Sequence, residues 1–289
     1  MSTVVTPERE PMARPPKPWY RRRWFVITAI VVVVLAAALA GGIWWYLRDD
    51  SPSEVSLEAA TQQLDTATTV GATAATTATT GTGSADAATT TADAATTTAA
   101  EAVASVAGTW TVDTSVGEFS FEDSTGTFVG FRVQEELSSI GSTTAVGRTP
   151  TVTGEIMFDG TTLSAATIEA DMTAISTNES RRDDNVQSAM ETDQFPTATF
   201  VLTQPIDLSD AVNTGVATRI EATGDLTIHG VTTPVTLPLD AQLVDGTIVV
   251  VGSLDIALST YGVEAPTAPI VVSVSDQAVV EFQLFFAQA

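Results

Sequence analysis

The chain has 289 residues, is 44% hydrophobic, carries a formal net charge of −23 and contains no cysteine. From Asp49 onward there are 33 acidic residues, five arginines and no lysine. A body that acidic repels phosphate backbones, which argues against nucleic acid as a partner, and the missing thiols exclude disulfides, thiol catalysis and cysteine metal sites.

Residues 1–23 are proline-rich and charged and read as a disordered cytoplasmic tail. Residues 24–47, WFVITAIVVVVLAAALAGGIWWYL, carry no charge. As a helix they would run about 36 Å, enough to span a bilayer. Arg21, Arg22 and Arg23 precede them, and aromatic residues lie at both ends. This predicts a single transmembrane helix in the cell membrane, with the N-terminus cytoplasmic and the C-terminal domain extracytoplasmic. A cleaved signal peptide is the alternative, because Ala38-Leu39-Ala40 has the small-x-small pattern. The apolar run continues past that point into Trp44, Trp45 and Tyr46, which favours a retained anchor. Residues 48–107 read as an Ala/Thr-rich disordered linker: within 66–100, 28 of 35 residues are Ala or Thr, too few large apolar groups to form a core. Such a tether would hold a domain away from the membrane.

Residues 108–289 alternate apolar and polar side chains with period two, which predicts one antiparallel all-β domain of about eight strands, a barrel or a sandwich. The apolar rows run Phe119 and Phe121; Phe131 and Val133; Ile156 and Phe158; Ile168, Ala170 and Met172; Phe200 and Leu202; Ile220, Ala222, Leu226 and Ile228; Val235, Leu237, Leu239, Ala241 and Leu243; then Phe282 and Leu284. Turns are expected at 158–160, 229–230 and 245–246, and a short helix within 183–194. The stretch SSIGSTTAVGRTPTV after Leu137 reads as a long loop. One parity of each strand could line a cavity or fill a core, and a one-residue slip exchanges the two.

Chemistry is sparse. His229, the lone histidine, sits beside a turn glycine with no visible catalytic partner, and no calcium loop or metal cluster can be assembled. No metal or cofactor is implied. Asn178-Glu179-Ser180 matches a glycosylation sequon. Arg181 and Arg182 stand side by side, followed by Asp183 and Asp184. In a lysine-free acidic domain, adjacent arginines suit carboxylate partners, and Arg181, Arg182 and Asp183 read as a structural clamp holding their connection to the barrel.

Six segments in order, TWTVD with GEFSFE, GFRVQEEL, TGEIMFDG, ISTNESRRDDNV with FPTATF, TGDLTIHGVTTPVTL and YGVEAP, resemble the YceI-like family over about 110–286. The resemblance implies an eight-stranded lipocalin-like barrel with an elongated apolar pocket that holds a polyisoprenoid chain, and no established catalytic residue. It also marks Arg182-Asp183 as part of a family motif. The expected function is a membrane-tethered binding protein, not an enzyme, for an isoprenoid or fatty acyl lipid. The expected ligand contacts are Phe119, Phe121, Phe131, Val133, Ile156, Phe158, Met172, Phe200, Leu202, Leu226, Ile228, Phe282 and Leu284, with Tyr261 as a polar contact at a mouth. The alternative is a packed surface module with a protein or polysaccharide partner.

Overall fold

The computed structural model describes residues 51–64, 106–138, 141–208, 210–265 and 271–289. The tail, the segment 24–47 and most of the Ala/Thr-rich stretch lie outside them. Among the described residues no helix is long and apolar enough to cross a membrane.

Among the described residues twelve strands follow one another: β1 (Gly108–Val112), β2 (Phe128–Leu137), β3 (Gly141–Thr149), β4 (Val152–Asp159), β5 (Thr162–Asp171), β6 (Ser176–Thr177), β7 (Thr197–Leu202), β8 (Ile206–Asp207), β9 (Thr218–Ile228), β10 (Val231–Val244), β11 (Thr247–Ala257) and β12 (Val271–Gln288). Eight of them close an antiparallel barrel in the order β1-β4-β5-β7-β9-β10-β11-β12, with β12 returning to β1 through Trp110 opposite Gln288. The two-residue turns behave as the sequence predicts. His229-Gly230 and Asp245-Gly246 both hold positive φ, at 52° and 71° and at 48° and 81°. That is the turn geometry whose twist matches a tight hairpin.

The seam is forked. The first part of β12 pairs with β2 from Val271 to Gln283, whereas its last part, Phe286 to Gln288, pairs with β1. β3 adds to β2, and β6 adds to β3. The stretch after Leu137 is therefore a strand, β3, and not a long loop. Its Ala, Gly and Thr residues hide the alternation, because β3 buries consecutive residues from Thr144 to Thr149. The opposite correction applies to GEFSFE. Phe119 and Phe121 alternate, but their segment forms a turn-rich loop with one isolated bridge, Ser120 to Thr125.

Two elements cover the outside of the barrel. One is that loop, 113–127. The other lies within the expected linker: residues 57–64 form a helix, α1, and the segment 51–64 packs on the barrel. The disordered reading of the linker is corrected for these residues. The Ser56 hydroxyl accepts from the Ala59 amide at 3.3 Å, an N-terminal cap. Leu57, Ala60 and Leu64 then fall on one helical face and meet Val249, Val251 and Phe285 from the outward rows of β11 and β12.

Beneath this cover lies a buried charge cluster. Arg148, Glu281 and Arg132 are 0%, 1% and 8% exposed. Glu281 accepts from Arg132 Nε at 2.6 Å and from Arg148 Nε and Nη2 at 2.9 and 2.7 Å. Two cations on one anion leave an excess of positive charge. Backbone oxygens offset it: Arg132 Nη2 donates to the carbonyls of Pro52 and Ser53, both at 2.6 Å, and Arg148 Nη2 donates to Ser53 O at 3.0 Å. Arg148 also donates to Phe121 O and Ser124 Oγ, and its guanidinium lies 4.4 Å from the Phe128 ring centre. Burial pushes the Arg148 guanidinium below its usual value, and Glu281 opposes that shift.

Candidate functional site

The inward rows of the barrel enclose two apolar cavities. The first, about 100 Å³, is lined from β4, β5, β7 and β9–β12, including Ile156, Phe158, Leu202 and Ile220. The second, about 90 Å³, includes Val129, Ala170, Leu226, Ile228 and Leu254. Five residues line both: Ile168, Phe200, Leu237, Phe282 and Leu284. The cavities are therefore neighbours along one lumen. Each has room for several water-sized groups, at roughly 10–15 Å³ apiece. Among the described residues none that lines them is ionisable; Thr218, Gln242 and Thr199 are the polar ones.

Of the fourteen contacts expected from the sequence, eight line this lumen: Ile156, Phe158, Phe200, Leu202, Leu226, Ile228, Phe282 and Leu284. The other six do not. Phe119 and Phe121 lie in the outer loop, the first edge-to-face on Phe128 and the second beside Arg148. Val133 is buried against Ala145, Leu226 and Tyr261, and Phe131 packs between the two core clusters with its ring over Gly147. Met172 is buried in a 3-10 turn, 172–174. Tyr261 is 2% exposed in a second 3-10 turn and so offers no polar group at a mouth. Burial pushes its phenol above the usual value, with a hydrogen bond to Thr233 opposing. Conversely, Ile168, Leu237 and Leu239 line the lumen and were not among the expected ligand contacts, although each falls in an apolar row of the sequence. Ile168 was signalled by its place in the row with Ala170 and Met172.

The arginine stretch lies on a helix. α2 runs Ser180–Ala189, three residues earlier than expected, so both arginines sit in its first turn. The Asp183 carboxylate reaches back over that turn and accepts from the Thr177 amide at 2.8 Å and hydroxyl at 2.7 Å. Arg182 donates to Asn178 Oδ1 at 2.7 Å and pairs with Glu135 of β2. Arg181 is exposed and makes neither contact. Asn178, the sequon residue, is also engaged: its amide nitrogen donates to Thr144 O and its oxygen accepts from the Val146 amide. Arg182→Ala leaves Glu135, which is 7% exposed, without its cation. We expect a loss of about 1–3 kcal/mol in chemical denaturation, with binding to the lumen retained, because Arg182 lines neither cavity.

His229 also has a structural setting. Its Nδ1 faces Tyr261 O at 3.1 Å, which makes Nδ1 the donor, and Phe195 meets the ring edge-on at 4.7 Å. Nε2 lies 3.5 Å from Glu191 Oε2, outside hydrogen-bond geometry. Among the described residues no group of His, Asp and Glu is arranged to hold a metal ion.

Comparison with known proteins places this geometry. A UPF0312 protein of Vibrio vulnificus (strain YJ016) is 29% identical over 106 residues, 35% of this chain and 52% of that protein. Protein YceI of Shigella flexneri is 32% identical over 121 residues, 40% of this chain and 56% of that one. The chain thus spans about half the length of the curated relatives it matches. A solved structure described as a polyisoprenoid binding domain from Saccharophagus degradans, implicated in plant cell wall breakdown, is 19% identical with a TM-score of 0.48, covering 62% of this chain and 98% of that one. The YceI-like domain matches residues 110–286, which contain the closed barrel except its first two and last two strand residues, and the chain belongs to the YceI-like family.

Proposed function

We propose that the chain is a membrane-tethered, extracytoplasmic binding protein that holds one elongated apolar ligand, an isoprenoid or fatty acyl chain, as a carrier or sink without catalysis. The observation that carries this reading is the largely apolar lining of two adjoining cavities, with no ionisable side chain among the described residues. Among its described residues such a lumen has no acid or base with which to activate a nucleophile or transfer a proton. It can only withdraw apolar surface from water, at about 0.8 kcal/mol per methylene. A chain of many methylenes is held tightly that way without a charged contact. Tethering rests on the uncharged run 24–47 and its arginine flank.

The test is mass spectrometry of organic extracts from the purified protein, with a mock purification as control. A lipid recovered in fixed proportion to protein is expected. Protein that carries none, and that also takes up neither added prenol nor added fatty acid, would favour the packed surface module instead.

A further inference from the structure

The residues shared by the two cavities have a common construction. Three of the five lie over an inward-facing glycine on a neighbouring strand. Ile168 of β5 stands opposite Gly154 of β4, and Phe282 of β12 stands opposite Gly252 of β11. Phe200 of β7 lies diagonally over Gly224 of β9. A methyl group built on Gly154 would come within 2.8 Å of Ile168 Cδ1. One on Gly252 would come within 2.5 Å of the Phe282 ring, and one on Gly224 within 2.5 Å of the Phe200 ring. Gly252 falls between Val250 and Leu254 and Gly224 between Ala222 and Leu226, in rows whose other members line the lumen.

We infer that these three pairs form a waist that sets which apolar chains the lumen accepts. Each glycine is a seat. It lets a bulky side chain lie back against the barrel wall instead of crossing the lumen, so the passage between the cavities stays open to one extended chain. A chain that fills only one cavity touches these side chains from one side without passing between them, whereas a longer one threads the waist. Ile168, Phe200 and Phe282 are thus specificity-determining residues for chain length and for bulk along the chain. The inference rests on the binding reading above and deepens it.

The experiment uses the full chain in membrane discs and two straight-chain fatty acids, one short and one long, each with a diazirine at its terminal carbon. After irradiation, labelled peptides are mapped by mass spectrometry. In the unmodified protein the short probe is expected to mark one cavity only, for example the wall around Ile220 and Leu239. The long probe is expected to mark the other, around Ile228 and Leu254. Gly252→Ala pushes the Phe282 ring inward, and long-probe label beyond the waist falls to background. The same methyl meets Pro238 O at 2.8 Å, so folding of this variant is checked by thermal denaturation. Phe282→Leu leaves the seat intact and removes the ring, and a shorter probe then reaches the far cavity; this variant decides if Gly252→Ala does not fold. Long-probe label confined to one cavity of the unmodified protein, or unmoved by either folded variant, overturns the waist. Absence of label anywhere in the lumen overturns the binding reading itself.

Discussion

Glu281→Gln is expected to destabilise the barrel by about 3–5 kcal/mol, the cost of removing one partner from a buried ion pair. The substitution keeps the shape of the side chain and removes its charge. Arg132 and Arg148 then face each other with no anion, at sites 8% and 0% exposed. Urea denaturation of the two proteins measures the difference. A loss below 1 kcal/mol would mean that water reaches the cluster and that the cover is looser than the packing implies. The lumen lies on the other face of the same strand, where Phe282 and Leu284 alternate with Glu281 and Gln283. A large stability loss with an unchanged ligand profile in the surviving folded protein is therefore the expected pattern.

The second large effect comes from removing 51–64. A chain that starts at residue 106 keeps every barrel strand and the whole family match. It loses the carbonyls of Pro52 and Ser53, which accept three bonds from the two arginines. It also loses the Leu57, Ala60 and Leu64 face that covers Val249, Val251 and Phe285. Hydrogen bonds to charged groups are worth about 1.5–3 kcal/mol each, though water admitted by the truncation recovers part of that. We expect chains beginning at residue 106 to be at least about 3 kcal/mol less stable than chains beginning at residue 51, measured by the same denaturation. Equal midpoints would show that the segment decorates the barrel without supporting it.

The lumen was legible because strand side chains alternate and the apolar row faces inward, which placed Ile156, Phe158, Phe200, Leu202, Leu226, Ile228, Phe282 and Leu284 on the correct face. The same signal misled at Phe119 and Phe121, where alternation occurs in a loop that packs outside. The charge cluster was not legible. Arg132 and Arg148 stand 149 and 133 residues from Glu281, and no local spacing announces a pairing across that distance. α1 had a local signal, Ser56 as a cap followed by Leu57, Ala60 and Leu64, but it borders an Ala/Thr-rich stretch whose composition dominates a coarse reading. The glycine seats were visible only as isolated glycines in strand rows, a pattern that marks close approach of another group. Which group approaches is a property of the register, here Gly252 opposite Phe282 and Gly154 opposite Ile168.

The forked seam has a kinetic consequence. β12 pairs with β11, β2 and β1, so it completes three borders of the sheet at once. Until it emerges during synthesis, β2 lacks a neighbour, β1 lacks its closing partner, and Arg132 and Arg148 lack Glu281. Contacts of such long sequence separation impose a large search on the chain and slow its folding. The nascent protein thus passes through a stage with open strand edges and exposed apolar rows, a state prone to aggregation. The rate-limiting event is expected to be the docking of the last strand, and a chain stopped before Val271 would remain an open sheet.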